Sequence, residues 1–127
     1  MIVLDTSALM ALLLAEPEAE KIAAILEAED DIIISAGTLC EALIVAARRG
    51  VSEEMTQLLD GIGTEVEGLG GVGAYAVAEA YAAWGKGVHP AGLNFGDCFA
   101  YVAAKARGVP LLFIGDGFSK TDIAAAM

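Results

Sequence analysis

Four acids stand where apolar runs give way to helices or turns: Asp5, Glu41, Asp97 and Asp116. Asp5 closes the run "MIVL", and Asp116 follows "VPLLFIG". Glu41 falls early in the segment after "DIIIS", and Asp97 sits in the first turn of "LNFGDCFAYVAAKARG". Carboxylates crowded together without cations repel one another, and some take up protons. Mg²⁺ or Mn²⁺ removes that cost, because these ions prefer oxygen ligands and bind through a few carboxylates plus water. Ions so held lower the pKa of an attacking water and steady a scissile phosphate. If the four acids converge, the matching chemistry is metal-dependent phosphodiester hydrolysis. His89 is the only histidine and stands beside Pro90 in a loop, so no serine–histidine or cysteine–histidine pair competes with that expectation.

Each acid also has a local explanation. Asp5, or Thr6 beside it, can cap the helix that follows. Thr38-Leu39-Cys40-Glu41 fits a capping box, and Asn94-Phe95-Gly96-Asp97 fits a capped start with an acid favourable to the helix dipole. Gly115-Asp116-Gly117 reads as a turn. Only a shared location would turn four local acids into one site.

The elements decide that location. "MIVL" and "DIIIS" read as buried strands, "TEVEGL" as a half-exposed one and "VPLLFIGD" as the last clear strand. Between them, helices are predicted over "TSALMALLL", "PEAEKIAAILEAED", "AGTLCEALIVAARRG", "VSEEMTQLLDGI", "GAYAVAEAYAAWG" and the segment containing Asp97. Pro17 is expected to open the second helix, and "FSKTDIAAAM" to add a closing helical turn. Alternating strands and helices predict an α/β fold with a mostly parallel sheet of four or five strands and helices on both faces. Ligands of such sheets bind beyond the carboxyl ends of the strands, where all four acids are expected.

Composition sets the frame. A chain of 127 residues, 57% hydrophobic, suits a single domain over residues 1–127. No apolar run spans a membrane, and the N-terminus lacks the basic region of a secretory signal, so a cytoplasmic protein is the expectation. Cys40 and Cys98 lack zinc-site spacing and are expected to be reduced and buried. The net charge is −11, all of it in residues 1–67 with 14 acids against 3 bases. Such a chain is a poor general nucleic-acid binder, although bound cations or a local basic strip of Lys86, His89, Lys105 and Arg107 would offset the field. Leu9, Met10, Leu13 and Leu14 offer apolar surface for a core or for a partner helix.

The segments "MIVLDTSALMALLLAEPEAE", "ISAGTLCEALIV" and "HPAGLNFGDCFAYVAAKARGVPLLFIGDGFSKTDI", in this order, resemble the PIN-domain ribonucleases, and more narrowly the VapC-type toxins of bacterial toxin–antitoxin systems. The resemblance covers nearly the whole chain. It implies a PIN-like three-layer α/β/α sandwich, an acidic Mg²⁺ or Mn²⁺ site, endonucleolytic RNA cleavage, neutralisation by a cognate VapB-like antitoxin, and a homodimer. By position, Asp5, Glu41, Asp97 and Asp116 match the family's four acids, and Thr6 or Ser7 the hydroxyl that orients metal-bound water. Two positions depart from the pattern: Gly117 stands where relatives often carry another acid, and Val88 where they often carry a base. A PIN fold acting mainly as a binding module, with weak or no nuclease activity, is the alternative. A haloacid-dehalogenase-like domain would want an acid where Ser7 stands, and a receiver-like domain a lysine just after the last strand, where Gly115-Asp116 stands.

Overall fold

The computed structural model describes residues 1–127. In chain order the elements are β1 (Ile2–Leu4), α1 (Thr6–Leu13), α2 (Ala19–Ala28), β2 (Ile32–Ser35), α3 (Ala36–Arg48), α4 (Ser52–Ile62), β3 (Glu65–Glu67), α5 (Gly70–Trp84), α6 (Phe95–Arg107) and β4 (Leu111–Leu112), followed by a 3₁₀ turn at Phe118–Lys120. The sheet runs β3-β2-β1-β4, and every pairing is parallel.

Strand residues alternate between two cores. Ile2, Leu4, Ile32, Ile34 and Leu112 meet α1 to α4 through Leu9, Ile22, Leu26, Ala42, Ala46, Met55 and Leu59. Val3, Ile33 and Leu111 face the other way, toward Val77, Ala80, Cys98, Ala100, Tyr101 and Ala104 of α5 and α6. Burial on both faces is why β1 and β2 are continuous apolar runs rather than alternating ones. The three-layer α/β/α expectation holds, with four strands. No helix is long and apolar enough to cross a membrane.

The chain moves from β1 out to β2 and β3, then returns to place β4 on the other side of β1. The order therefore reverses beside β1, the kind of switch point where open α/β sheets form a ligand crevice.

Several expectations are corrected. Helix α2 starts at Ala19, and Pro17 lies in the turn before it. β4 is two residues long rather than running to Asp116, because the Ile114 N–H donates to the Ser7 hydroxyl (3.0 Å). The final segment is not helical beyond Lys120. It runs along β4, with Leu111 paired in parallel to Ala125. Both cysteines are free, but only Cys98 is buried, while Cys40 is exposed. Leu9 and Met10 are buried, and Leu13 and Leu14 pack against the same core, so these side chains form no separate groove.

Candidate active site

β1 delivers Asp5 straight from the sheet into the start of α1, where it is the N-cap. One carboxylate oxygen, Oδ2, accepts from the Ser7 N–H (3.0 Å) and the Ser7 hydroxyl (2.5 Å). The other, Oδ1, is buried and has no hydrogen-bond partner. Only 4% of the residue is exposed. Burial therefore dominates and raises its pKa from 3.8 to about 6, against the two Ser7 bonds that lower it, with Asp97 and Glu41 adding repulsion. Ser7 does more than cap. Its oxygen also accepts from Ile114 N, tying Asp5 to the exit of β4 across the switch point.

Glu41 sits in the second turn of α3. The Thr38–Glu41 capping box does not form: Ser35 takes the cap by accepting from Gly37 N–H (3.3 Å), and Thr38 is fully buried. Freed from that role, Glu41 reaches toward β1, where its Oε1 accepts from the Thr6 hydroxyl (2.7 Å). Its carboxylate lies against Gly96: a Cβ there would stand 2.0 Å from Oε2.

Asp97 is the third residue of α6 and forms the capping box read from the sequence. Its Oδ2 accepts from Asn94 N–H (2.9 Å), and its own N–H donates to Asn94 Oδ1 (2.8 Å). Its pKa is raised, chiefly by burial and further by Glu41, with the Asn94 bond acting the other way. Asp5, Glu41 and Asp97 thus share one electrostatic neighbourhood, assembled from β1, α3 and α6.

Asp116 does not join them in the same way. It is exposed in the bend after β4, where its backbone carbonyl accepts from the Ser119 hydroxyl (2.6 Å), and it is not among the charges acting on Asp5 or Asp97. No three His, Cys, Asp or Glu side chains stand close enough to form a finished chelate. The donor set nonetheless suits a hard cation: a buried, partnerless carboxylate oxygen on Asp5, with Asp97 and Glu41 near enough to raise its pKa. Mg²⁺ binds directly through one or two carboxylates and keeps several waters, so three direct carboxylates are not required.

The expected basic strip is divided: Lys86 lies beside the start of α6, where its backbone N–H donates to the Leu93 carbonyl (2.9 Å), while two of its other members are paired elsewhere. Lys105 pairs with Asp122 (2.6 Å) and Arg107 with Glu67 (3.2 Å), at the end of α6 about 12 and about 15 Å from Asp97 by helix rise. His89 uses Nδ1 to accept from Ala91 N–H (3.0 Å) and packs edge-on against Trp84. Sequence reasoning offered Thr6 only as a helix cap or, through the resemblance, as a water-orienting hydroxyl. Its bond to Glu41 spans 35 residues, and no local spacing signals it.

The PIN domain family model matches residues 2–124. Ribonuclease VapC30 of Mycobacterium tuberculosis is 43% identical over 96% of this chain and 95% of its own length. Among solved structures, VapC20 of Mycobacterium tuberculosis, a sarcin–ricin loop cleaving toxin, superposes with TM-score 0.79 at 15% identity, covering 98% of this chain and 97% of that one. A toxin–antitoxin complex from Klebsiella pneumoniae gives TM-score 0.73 at 15% identity, over 96% of this chain and 93% of its own. With the parallel sheet and the three acids at its switch point, these matches place the chain in the PIN-domain family, among the VapC ribonucleases.

Proposed function

We propose that this protein is a metal-dependent endoribonuclease toxin, with Asp5, Glu41 and Asp97 as the core of its site. The observation that carries the reading is the partnerless Oδ1 of Asp5, buried at the carboxyl end of β1 with Asp97 and Glu41 acting on its charge. A buried carboxylate with a raised pKa is poised to gain from a cation, which supplies the positive charge those acids lack. Mg²⁺ or Mn²⁺ would be held by Asp5 and Asp97, with Asp116 reaching in from its exposed bend. Glu41, oriented by Thr6, would complete the site or accept a proton from the attacking water. When bound, the metal lowers the pKa of that water and offsets charge on the phosphate.

Ser7 holds Oδ2 of Asp5 through two hydrogen bonds, which leaves Oδ1 as the oxygen that would serve an ion. The capping box likewise holds Oδ2 of Asp97, through Asn94 N–H. The chain carries 18 acids against 7 lysines and arginines, and Lys105 and Arg107 are held in ion pairs, so RNA contact rests more on the cation than on an arginine cluster. A cognate antitoxin is the expected partner, since the matched Klebsiella structure is a toxin–antitoxin complex. A homodimer is supported by α5, which carries one charge in its 15 residues and leaves Val72 and Tyr75 exposed.

The test is RNA cleavage with added Mn²⁺ or Mg²⁺. Cleavage is expected from the wild type and lost in Asp5→Asn and Asp97→Asn. Activity surviving either change overturns the assignment. If titration shows no cation binding to the wild type, the fold serves as a binding module instead.

A further inference from the structure

The first turns of α3 and α6 meet through two glycines, each of which receives a side chain from the other helix. Gly96 of α6 takes the Glu41 carboxylate: a Cβ there would lie 2.0 Å from Oε2, 2.6 Å from Cδ and 3.0 Å from Oε1. Gly37 of α3 takes the Phe99 ring, with three ring carbons between 2.3 and 2.8 Å of a Cβ built on it. Neither glycine has the left-handed backbone that would require glycine for its own sake. In both places the missing side chain makes room for a neighbour. Gly96 immediately precedes Asp97, so the space it leaves lies beside the third acid.

We propose that Gly96 is a positioning residue for the nuclease site: by lacking a side chain it lets the Glu41 carboxylate lie against the start of α6, beside Asp97 and within reach of the Thr6 hydroxyl. The inference rests on the reading of these acids as the metal site, but the contact itself does not. Glu41 is held from one side by Thr6 (2.7 Å) and limited on the other by the α6 backbone at Gly96. A methyl group at residue 96 leaves the helix intact, because alanine is a better helix former than glycine. The carboxylate is the free end of a flexible side chain, so it would swing away rather than unfold the protein.

The experiment pairs Gly96→Ala with Glu41→Gln and Thr6→Ala. In the metal-free protein, thermal melts give a double-mutant cycle. Thr6→Ala is expected to lower the melting temperature in the wild-type background and to have a smaller effect once residue 96 is alanine, because the Thr6–Glu41 bond is already broken there and only the longer contact of the Thr6 hydroxyl to the Thr38 carbonyl (3.4 Å) is left to lose. In parallel, Mn²⁺ titration of Gly96→Ala is expected to show affinity reduced about tenfold, the scale typical of groups that orient ligands. Glu41→Gln is expected to cost little further affinity in that background. Additive melting shifts, or unchanged Mn²⁺ affinity in Gly96→Ala, overturn the proposal. If the wild type itself binds no Mn²⁺, the metal-site reading fails, and the metal-free cycle still decides whether Gly96 positions Glu41.

Discussion

Asp5→Asn should make the metal-free protein more stable at neutral pH while removing its activity. Burial raises the Asp5 pKa from 3.8 to about 6 in the folded chain. The native state therefore holds its proton to higher pH than the unfolded state does. Stability from this group is intact below about pH 4, falls as pH rises through the window up to about 6, and stays lowered above it. A shift of about two units corresponds to about 3 kcal/mol at full ionisation. Asparagine stays neutral throughout and keeps an acceptor for Ser7 N–H, so the cap survives. The stability gap, variant minus wild type, should then widen from about 1 kcal/mol at about pH 4.5 to about 3 kcal/mol at about pH 7.5, on top of any pH-independent offset. Urea denaturation of both proteins in chelator measures it by linear extrapolation. Added Mn²⁺ should then stabilise the wild type but not the variant, since binding to the native state adds to stability. A gap that does not change with pH, or that shrinks toward neutral pH, would refute the claim that Asp5 carries a buried charge awaiting a cation.

Other changes separate the roles of neighbouring groups. Ser7→Ala removes the bridge between Asp5 and Ile114 N–H; it should cost about 1–3 kcal/mol in urea denaturation and raise the Asp5 pKa further. Tyr101→Phe breaks the link from Trp84 through the Tyr101 hydroxyl to Asp122. It should cost about 1 kcal/mol and leave RNA cleavage unchanged, because that link touches none of the site acids. Asp116→Asn, at an exposed position, should alter stability by less than about 0.5 kcal/mol and reduce cleavage less than Asp97→Asn, as judged by cleavage rates at saturating Mn²⁺.

Much of the architecture was legible in the sequence because its signals are local. The apolar runs at Ile2–Leu4 and Ile32–Ser35 are buried on both faces, which only a covered parallel sheet provides. Asn94 and Asp97 form the box their spacing predicts, since both partners lie within one turn. Asp5 as a cap followed from its place between strand and helix. The ends of elements were less legible. β4 stops early because a hydroxyl more than 100 residues upstream takes its next N–H, and the last residues extend along β4 because that edge was left unpaired.

The sequence by itself determined which acids stand at the ends of strands and the starts of helices, and hence that they could meet at one edge of the sheet. Tertiary structure decided how. It gave the cap of α3 to Ser35, so that Glu41 turned from Thr38 to Thr6. It buried Asp5 with one oxygen satisfied and one not, left Asp116 in solvent, and tied up Lys105 and Arg107 in ion pairs remote from Asp97. Local caps differ by only about 1 kcal/mol, so a long-range hydrogen bond or the packing of two helices can reverse the choice. Burial of a carboxylate depends on what the rest of the chain places over it, which no spacing of residues records.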